Sequence, residues 1–131
     1  MSILDGFVPE NSGDGAIFVS VTDYGMTFSK TSVEVIGFPR YVKVFFDRKG
    51  KRMAIVPCSE ENGARSFVRD SASPRAGFVR WNDKKLISQI TSMGDLSIEG
   101  HGVRVLGEYV PEENLLVFNL KQTIPLRQKN G

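Results

Sequence analysis

The stretch PRYVKVFFDRKGKR, residues 39–52, carries Arg40, Lys43, Arg48, Lys49, Lys51 and Arg52, with Lys30 a short way upstream. These seven belong to a total of seventeen Lys and Arg in a chain of net charge +2. Cationic side chains at this density can meet phosphates, and Tyr41 or Phe45 among them can stack on bases. If four of them neutralised phosphates, log K would fall with log salt at a slope of about −3.6. A solvated hairpin tip whose charges resist edge pairing is the alternative reading. Arg65, Arg69, Arg75, Arg80, Lys84 and Lys85 form a sparser second basic set. Arg80 and Trp81 beside a helix start would make a cation–π or anion-binding corner, with Trp81 as buried core the alternative.

Other chemistry finds less support. A Cys–His nucleophile pair needs hydrogen-bond contact and a third, orienting group. Cys58 ends a strand and the single histidine, His101, sits between glycines in a connector, with nothing in the spacing to join them. One Cys and one His cannot close a zinc site, so no metal is expected. Glu60–Glu61 and Glu112–Glu113 are adjacent acids in polar turns, where carboxylates face solvent rather than a cleft. The glycines follow no phosphate-cradling pattern. The reading is therefore non-catalytic, with no cofactor.

The elements that carry these residues follow from periodicity. At 131 residues, 40% apolar and 24% charged, the chain suits one domain with a core of its own. The opening MSILDGFVPENSGDG has neither a basic n-region nor a long apolar run, so no secretory signal is expected. No stretch approaches the roughly eighteen apolar residues of a membrane span. The cytoplasm is the expected compartment, and no membrane partner is expected.

Residues 1–15 read as a loose arm, and a first unit follows over 16–58. AIFVSVTD alternates as a strand, Asp23 and Gly25 form a turn, and MTF resumes a strand. Ser29 or Thr31 caps a short helix that Gly37 and Pro39 stop. RYVKVFF alternates, placing Tyr41, Lys43 and Phe45 on one face and Val42, Val44 and Phe46 on the other. DRKGK turns the chain into RMAIVP. A second unit spans 64–120: RSFVRD, a longer SASPRAG turn, FVRW, and a helix capped by Asn82 or Asp83. That helix carries Leu86, Ile87, Ile90 and Met93 at helical spacing and stops at Gly94. A hairpin then turns at PEEN, and 121–131 reads as a polar tail.

The two units share one order of parts, which makes the expected fold α+β and strand-rich: two pseudo-symmetric ββαββ units closing one barrel-like core. Neither unit covers its own apolar faces; together they can. FVSVTDYGMTFSKTSVEVIG followed by YVKVFFDRKGKRMAIVP resembles the swapped-hairpin domain of the SpoVT/AbrB-like transcription factors. Val21, Asp23, Gly25, Lys30, Ile36 and Gly37 carry the resemblance, over about residues 17–57. In that family two chains exchange hairpins to close a barrel, which implies that this chain, with two units, closes one alone. The resemblance also implies duplex DNA as partner. DNA-binding members carry Arg directly after the turn glycine and further basic residues on the helix; here Met26 and Glu34 stand there. The expected function is a DNA-associated regulator using Lys30, Arg40, Lys43, Arg48, Lys49, Lys51 and Arg52, as monomer or homodimer. An interaction domain that keeps the scaffold and binds an unidentified protein is the alternative.

Overall fold

A computed structural model describes residues 15–69, 77–98 and 101–126. The expected arm over 1–14, most of the SASPRAG turn and the end of the tail lie outside the described residues. The fold is strand-rich, with two helices and one eight-stranded antiparallel sheet curled into a half-barrel. The strands are β1 (Phe18–Val21), β2 (Met26–Phe28), β3 (Tyr41–Asp47), β4 (Arg52–Cys58), β5 (Arg65–Ser66), β6 (Val79–Trp81), β7 (Val103–Val110) and β8 (Leu115–Pro125). Helix α1 (Lys30–Val35) joins β2 to β3, and α2 (Lys84–Gly94) joins β6 to β7. Across the sheet the order is β5-β3-β4-β8-β7-β1-β2-β6.

Over residues 16–58 the expected strands and helix form, with one exchange of roles. The turn between β1 and β2 is built by Thr22 rather than Asp23. The Thr22 hydroxyl accepts from the backbone of Tyr24 at 3.1 Å and of Gly25 at 3.2 Å, leaving Asp23 exposed. Ser29 is the cap of α1. Its hydroxyl accepts from the Ser32 N–H at 3.3 Å and the Phe18 N–H at 3.2 Å, and donates to the Ala16 carbonyl at 2.8 Å. Ser29 and Ser32 are both buried, so this hydroxyl pair ties the helix start to the entry of β1 and leaves no polar atom unmet. The helix ends with Gly37 at φ +84°; its N–H meets the Glu34 carbonyl at 3.0 Å, and the Phe38 N–H meets Val33 at 3.1 Å. This paired closure needs the left-handed position that glycine occupies without a Cβ penalty.

Farther along the chain Asp83 is the cap of α2, its carboxylate accepting from the Leu86 N–H at 3.0 Å. Leu86, Ile87 and Ile90 are buried, and Met93 packs partly against the core. The expected stop at Gly94 is displaced: Gly94 is the last helical residue and Asp95 takes the left-handed position, at φ +53°. Gly94 serves a different need, because a Cβ there would meet the Leu120 Cβ at 2.8 Å. The absence of a side chain lets α2 sit directly on β8. RSFVRD forms only the two-residue β5; the Phe67 N–H still meets the Arg40 carbonyl at 2.8 Å, and its ring turns into the core, 1% exposed.

The expected polar tail is corrected over 121–125. β8 runs on to Pro125 and pairs with the start of β7, Val103 opposite Pro125 and Val105 opposite Thr123. Between Val105 and Gly107 the register shifts, so that Asn119–Gln122 bulge away from β7. Over the bulge β8 stays held by the other hairpin, which it pairs from Leu116 onward: Arg52 stands opposite Asn119, and the Leu120 N–H meets the Lys51 carbonyl at 2.9 Å. A strand that bulges partway loses the simple alternation by which strands are recognised.

The core is centred on Phe28, whose ring makes edge contacts with Trp81 at 4.9 Å, Phe67 at 5.2 Å and Phe118 at 5.7 Å. These rings also seal the sheet. No ladder joins the edge strands β5 and β6 among the described residues. The Trp81 Nε1–H donates to the Ser66 carbonyl at 2.8 Å, and Arg65 pairs with Asp83 at 2.8 Å while lying 5.2 Å from the Trp81 ring. Replacing Trp81 by Ala is expected to lower the unfolding free energy by about 3–5 kcal/mol. Trp81→Phe keeps the ring and loses the donor, costing about 1 kcal/mol. Urea titration followed by far-UV circular dichroism measures both, and equal losses would show that ring packing contributes little.

Candidate nucleic-acid interface

The seven basic residues do not converge on one patch. β3 and β4 form a hairpin in which Asp47 stands opposite Arg52, leaving Arg48–Lys51 as a four-residue tip. At about 3.3 Å per residue, the seven residues of β3 hold Arg40 roughly 25 Å from Arg48. Lys30 is exposed at the start of α1, where its side chain lies about 3 Å from the position of a Cβ on Gly77. Arg40 is exposed just before β3, and its carbonyl accepts from the Phe67 N–H at 2.8 Å.

Two of the remaining five are already engaged by acids. Lys43 Nζ lies 2.7 Å from Glu61, and Arg52 reaches the Asp47 Oδ2 with Nη2 at 2.7 Å and Nε at 3.1 Å. The Lys43 pKa is raised, first by its hydrogen bond to Glu61. Glu61 is lowered in turn by Lys43 and then by the Ser59 hydroxyl. Both pairs are solvent-accessible, so they orient side chains more than they stabilise the fold. Among the described residues Arg48, Lys49 and Lys51 on the tip have no acidic partner, and Arg48 lies 5.9 Å from the Phe46 ring centre.

Asp47 organises the tip. Its Oδ1 accepts from the Gly50 N–H at 3.0 Å while Oδ2 holds Arg52. The bond from Gly50, then that from Arg52, keeps this carboxyl below the usual carboxylate range. On the far side, the Leu120 N–H on the Lys51 carbonyl fixes the tip against β8. Three cations are thus presented on a loop held at both flanks.

Arg65, Arg69 and Arg80 of the second basic set make contacts within the fold. Arg65 pairs with Asp83 and Trp81, which gives Trp81 the cation–π contact expected from Arg80. Arg80 instead reaches Asn82 at 3.0 Å and the Thr27 hydroxyl at 3.2 Å. Arg69 lies 4.4 Å from the Phe38 ring, and Arg75 is outside the described residues. Met26, standing where the resembling family carries arginine, is fully buried and opposite Trp81. Cys58 stands opposite Tyr41, whereas His101 precedes β7, on another part of the sheet.

The outer face of the hairpin adds an aromatic. Phe45, 53% exposed, stands opposite Ala54, which stands opposite Val117 on β8. Beside Val117 the β8 bulge opens a cleft of about 520 Å3, lined by Arg52, Leu106, Glu108, Asn119 and Gln122. In the sequence Gln122 reads as part of a polar tail, and this cleft is not legible there because the β8 bulge has no periodic signature.

The site and fold define a strand-rich, half-barrel protein that presents a pinned basic hairpin. Family models, curated proteins and solved structures give no match to the chain.

Protonating Asp47 is expected to release both the Gly50 N–H and Arg52. Because its pKa is lowered, the restraint is complete above the ordinary carboxylate value of about 3.9 and is lost as pH falls through the lower, folded value. The Gly50 amide signal followed by NMR should titrate with that midpoint, and Asp47→Asn should abolish the step.

Proposed function

We propose that this chain is a non-catalytic binding module that meets nucleic-acid phosphates with the tip of the β3–β4 hairpin, as a DNA-associated regulator resembling the SpoVT/AbrB group. The observation that carries this reading is the triplet Arg48, Lys49 and Lys51, without acidic partners among the described residues, on a loop held by Asp47 and by β8. Charges held in place lose less freedom on binding than charges on a mobile arm. Lys30 and Arg40, at the opposite end of the hairpin, reach only a ligand long enough to run along it. Lys43 and Arg52 contribute less, being neutralised in place.

The pairing of strands supports the two-unit reading that underlies the resemblance. Interchanging β1–β4 with β5–β8 turns the β1–β7 ladder into β5–β3, and β3–β4 into β7–β8. It returns β4–β8 and β2–β6 to themselves. The β1–β2 ladder is the exception, since its counterpart would join β5 to β6, where side chains make the contact. On this reading neither half is self-sufficient. Divided after Asn62, the two halves should each lack cooperative unfolding alone, and mixing them should restore it together with the buried emission of Trp81. A half that unfolds cooperatively by itself would remove the two-unit reading.

Fluorescence anisotropy with labelled DNA at about 50 and 200 mM salt tests the function. Three phosphate contacts give a log–log slope of about −2.7 on duplex. Lys49→Glu with Lys51→Glu should abolish binding, and no binding of any nucleic acid at low salt would remove the reading. A protein partner for the same scaffold is the second reading, favoured by the exposed Tyr24, Val68 and Ile124. It predicts a pull-down complex that survives the charge reversal.

A further inference from the structure

We infer that the outer face of β3, β4 and β8 is a site for an unpaired nucleobase, with Phe45 as the stacking surface and the cleft at the β8 bulge as the reader of a base edge. This deepens the proposed function and rests on it, since the basic tip supplies the phosphate contact.

The ring comes first. Phe45 is more than half exposed on a strand whose other face is core, and its cross-strand neighbour Ala54 is too small to cover it. Base–aromatic stacking needs such an open ring and tolerates any base. The row continues through Ala54 to Val117 across two strand spacings, about 10 Å. There the cleft begins, so a stacked base and a base in the cleft are within reach of one backbone.

The chemistry of the cleft suits a flat heterocycle with both donors and acceptors on its edge. Leu106 and Val117 supply apolar surface. Glu108 offers acceptors, Gln122 offers both kinds of group, and Arg52 is a donor. Asn119 is oriented: its Oδ1 accepts from the Lys121 N–H at 3.0 Å, which leaves the amide N–H groups for a ligand. These are the group types that read base edges.

Position joins the cleft to the tip. Arg52 belongs to both, lining the cleft and closing the hairpin on Asp47. The Leu120–Lys51 bond holds the cations of the tip beside the bulge. A strand whose base enters the cleft therefore runs its backbone past Lys49 and Lys51. A paired base has its face stacked and its Watson–Crick edge occupied, and cannot use the ring and cleft in this way. That selects single-stranded over duplex nucleic acid, and the surrounding positive charge selects it over a neutral apolar segment.

The test compares a labelled thymidine oligomer of about twelve nucleotides with a duplex of the same length at about 50 mM salt. The full-length chain should prefer the single strand by about tenfold. Phe45→Ala should collapse that preference by about tenfold, and Gln122→Ala should weaken oligomer binding about fivefold. Both side chains are solvent-accessible, and unchanged thermal midpoints confirm folded variants. Equal affinity for the two probes with Phe45→Ala indifferent overturns the base site while leaving the phosphate reading in place. Displacement of the oligomer by polyglutamate at equal charge overturns it too, in favour of an acidic protein segment. Failure to bind either nucleic acid removes the functional reading itself, and the base site with it.

Discussion

The meeting of β5 and β6 is the constraint on which the rest depends. A curled sheet of eight strands has two ends, and here those ends are sealed by an indole, a phenyl ring and one ion pair instead of a ladder. Trp81 is central because it does three things at once. Its ring packs on Phe28 and Phe67, its N–H satisfies the Ser66 carbonyl, and its outer side is covered by Arg65. Arg65 is in turn held by Asp83, which is also the cap of α2. The helix start, the edge strand and the aromatic core therefore share one small set of atoms. The carboxyl of Asp83 is held below its usual range, first by the Leu86 N–H and then by Arg65, as a group with two jobs should be.

From that seal the sheet order places the two long hairpins side by side in its middle. β4 lies against β8, so the inner faces of both hairpins line one core, through Met53, Ile55, Leu116 and Phe118. The outer faces are left to solvent, and there the chain keeps Phe45 and most of its cationic tip. The division follows from strand geometry: alternate side chains hold the core and the intervening ones face outward.

Much of this was legible in the sequence where periodicity is local. Strict alternation in RYVKVFF gave β3 and its faces, and Ser29 or Thr31, Gly37, and Asn82 or Asp83 marked helix ends because capping chemistry restricts those positions to few residue types; the fold selects Ser29 and Asp83. What was not legible depends on distant partners. Gly94 read as a stop because a glycine at a helix end has that use; its close approach to Leu120 needs the fold. The extension of β8 through Lys121–Pro125 was hidden because a strand that bulges loses its alternation. Of the seven basic residues, the sequence found the cluster but could not see that Glu61 and Asp47 occupy two of them, or that β3 separates the rest.

A seam made by side chains has no hydrogen-bond register to preserve. Between ladders, a slip of one residue flips the strand's faces; among the described residues no ladder counts β5 against β6. The two edges can thus shift past one another without misaligning the ladders within the sheet. That makes this seam the place where the half-barrel can widen or narrow while each strand keeps its neighbour.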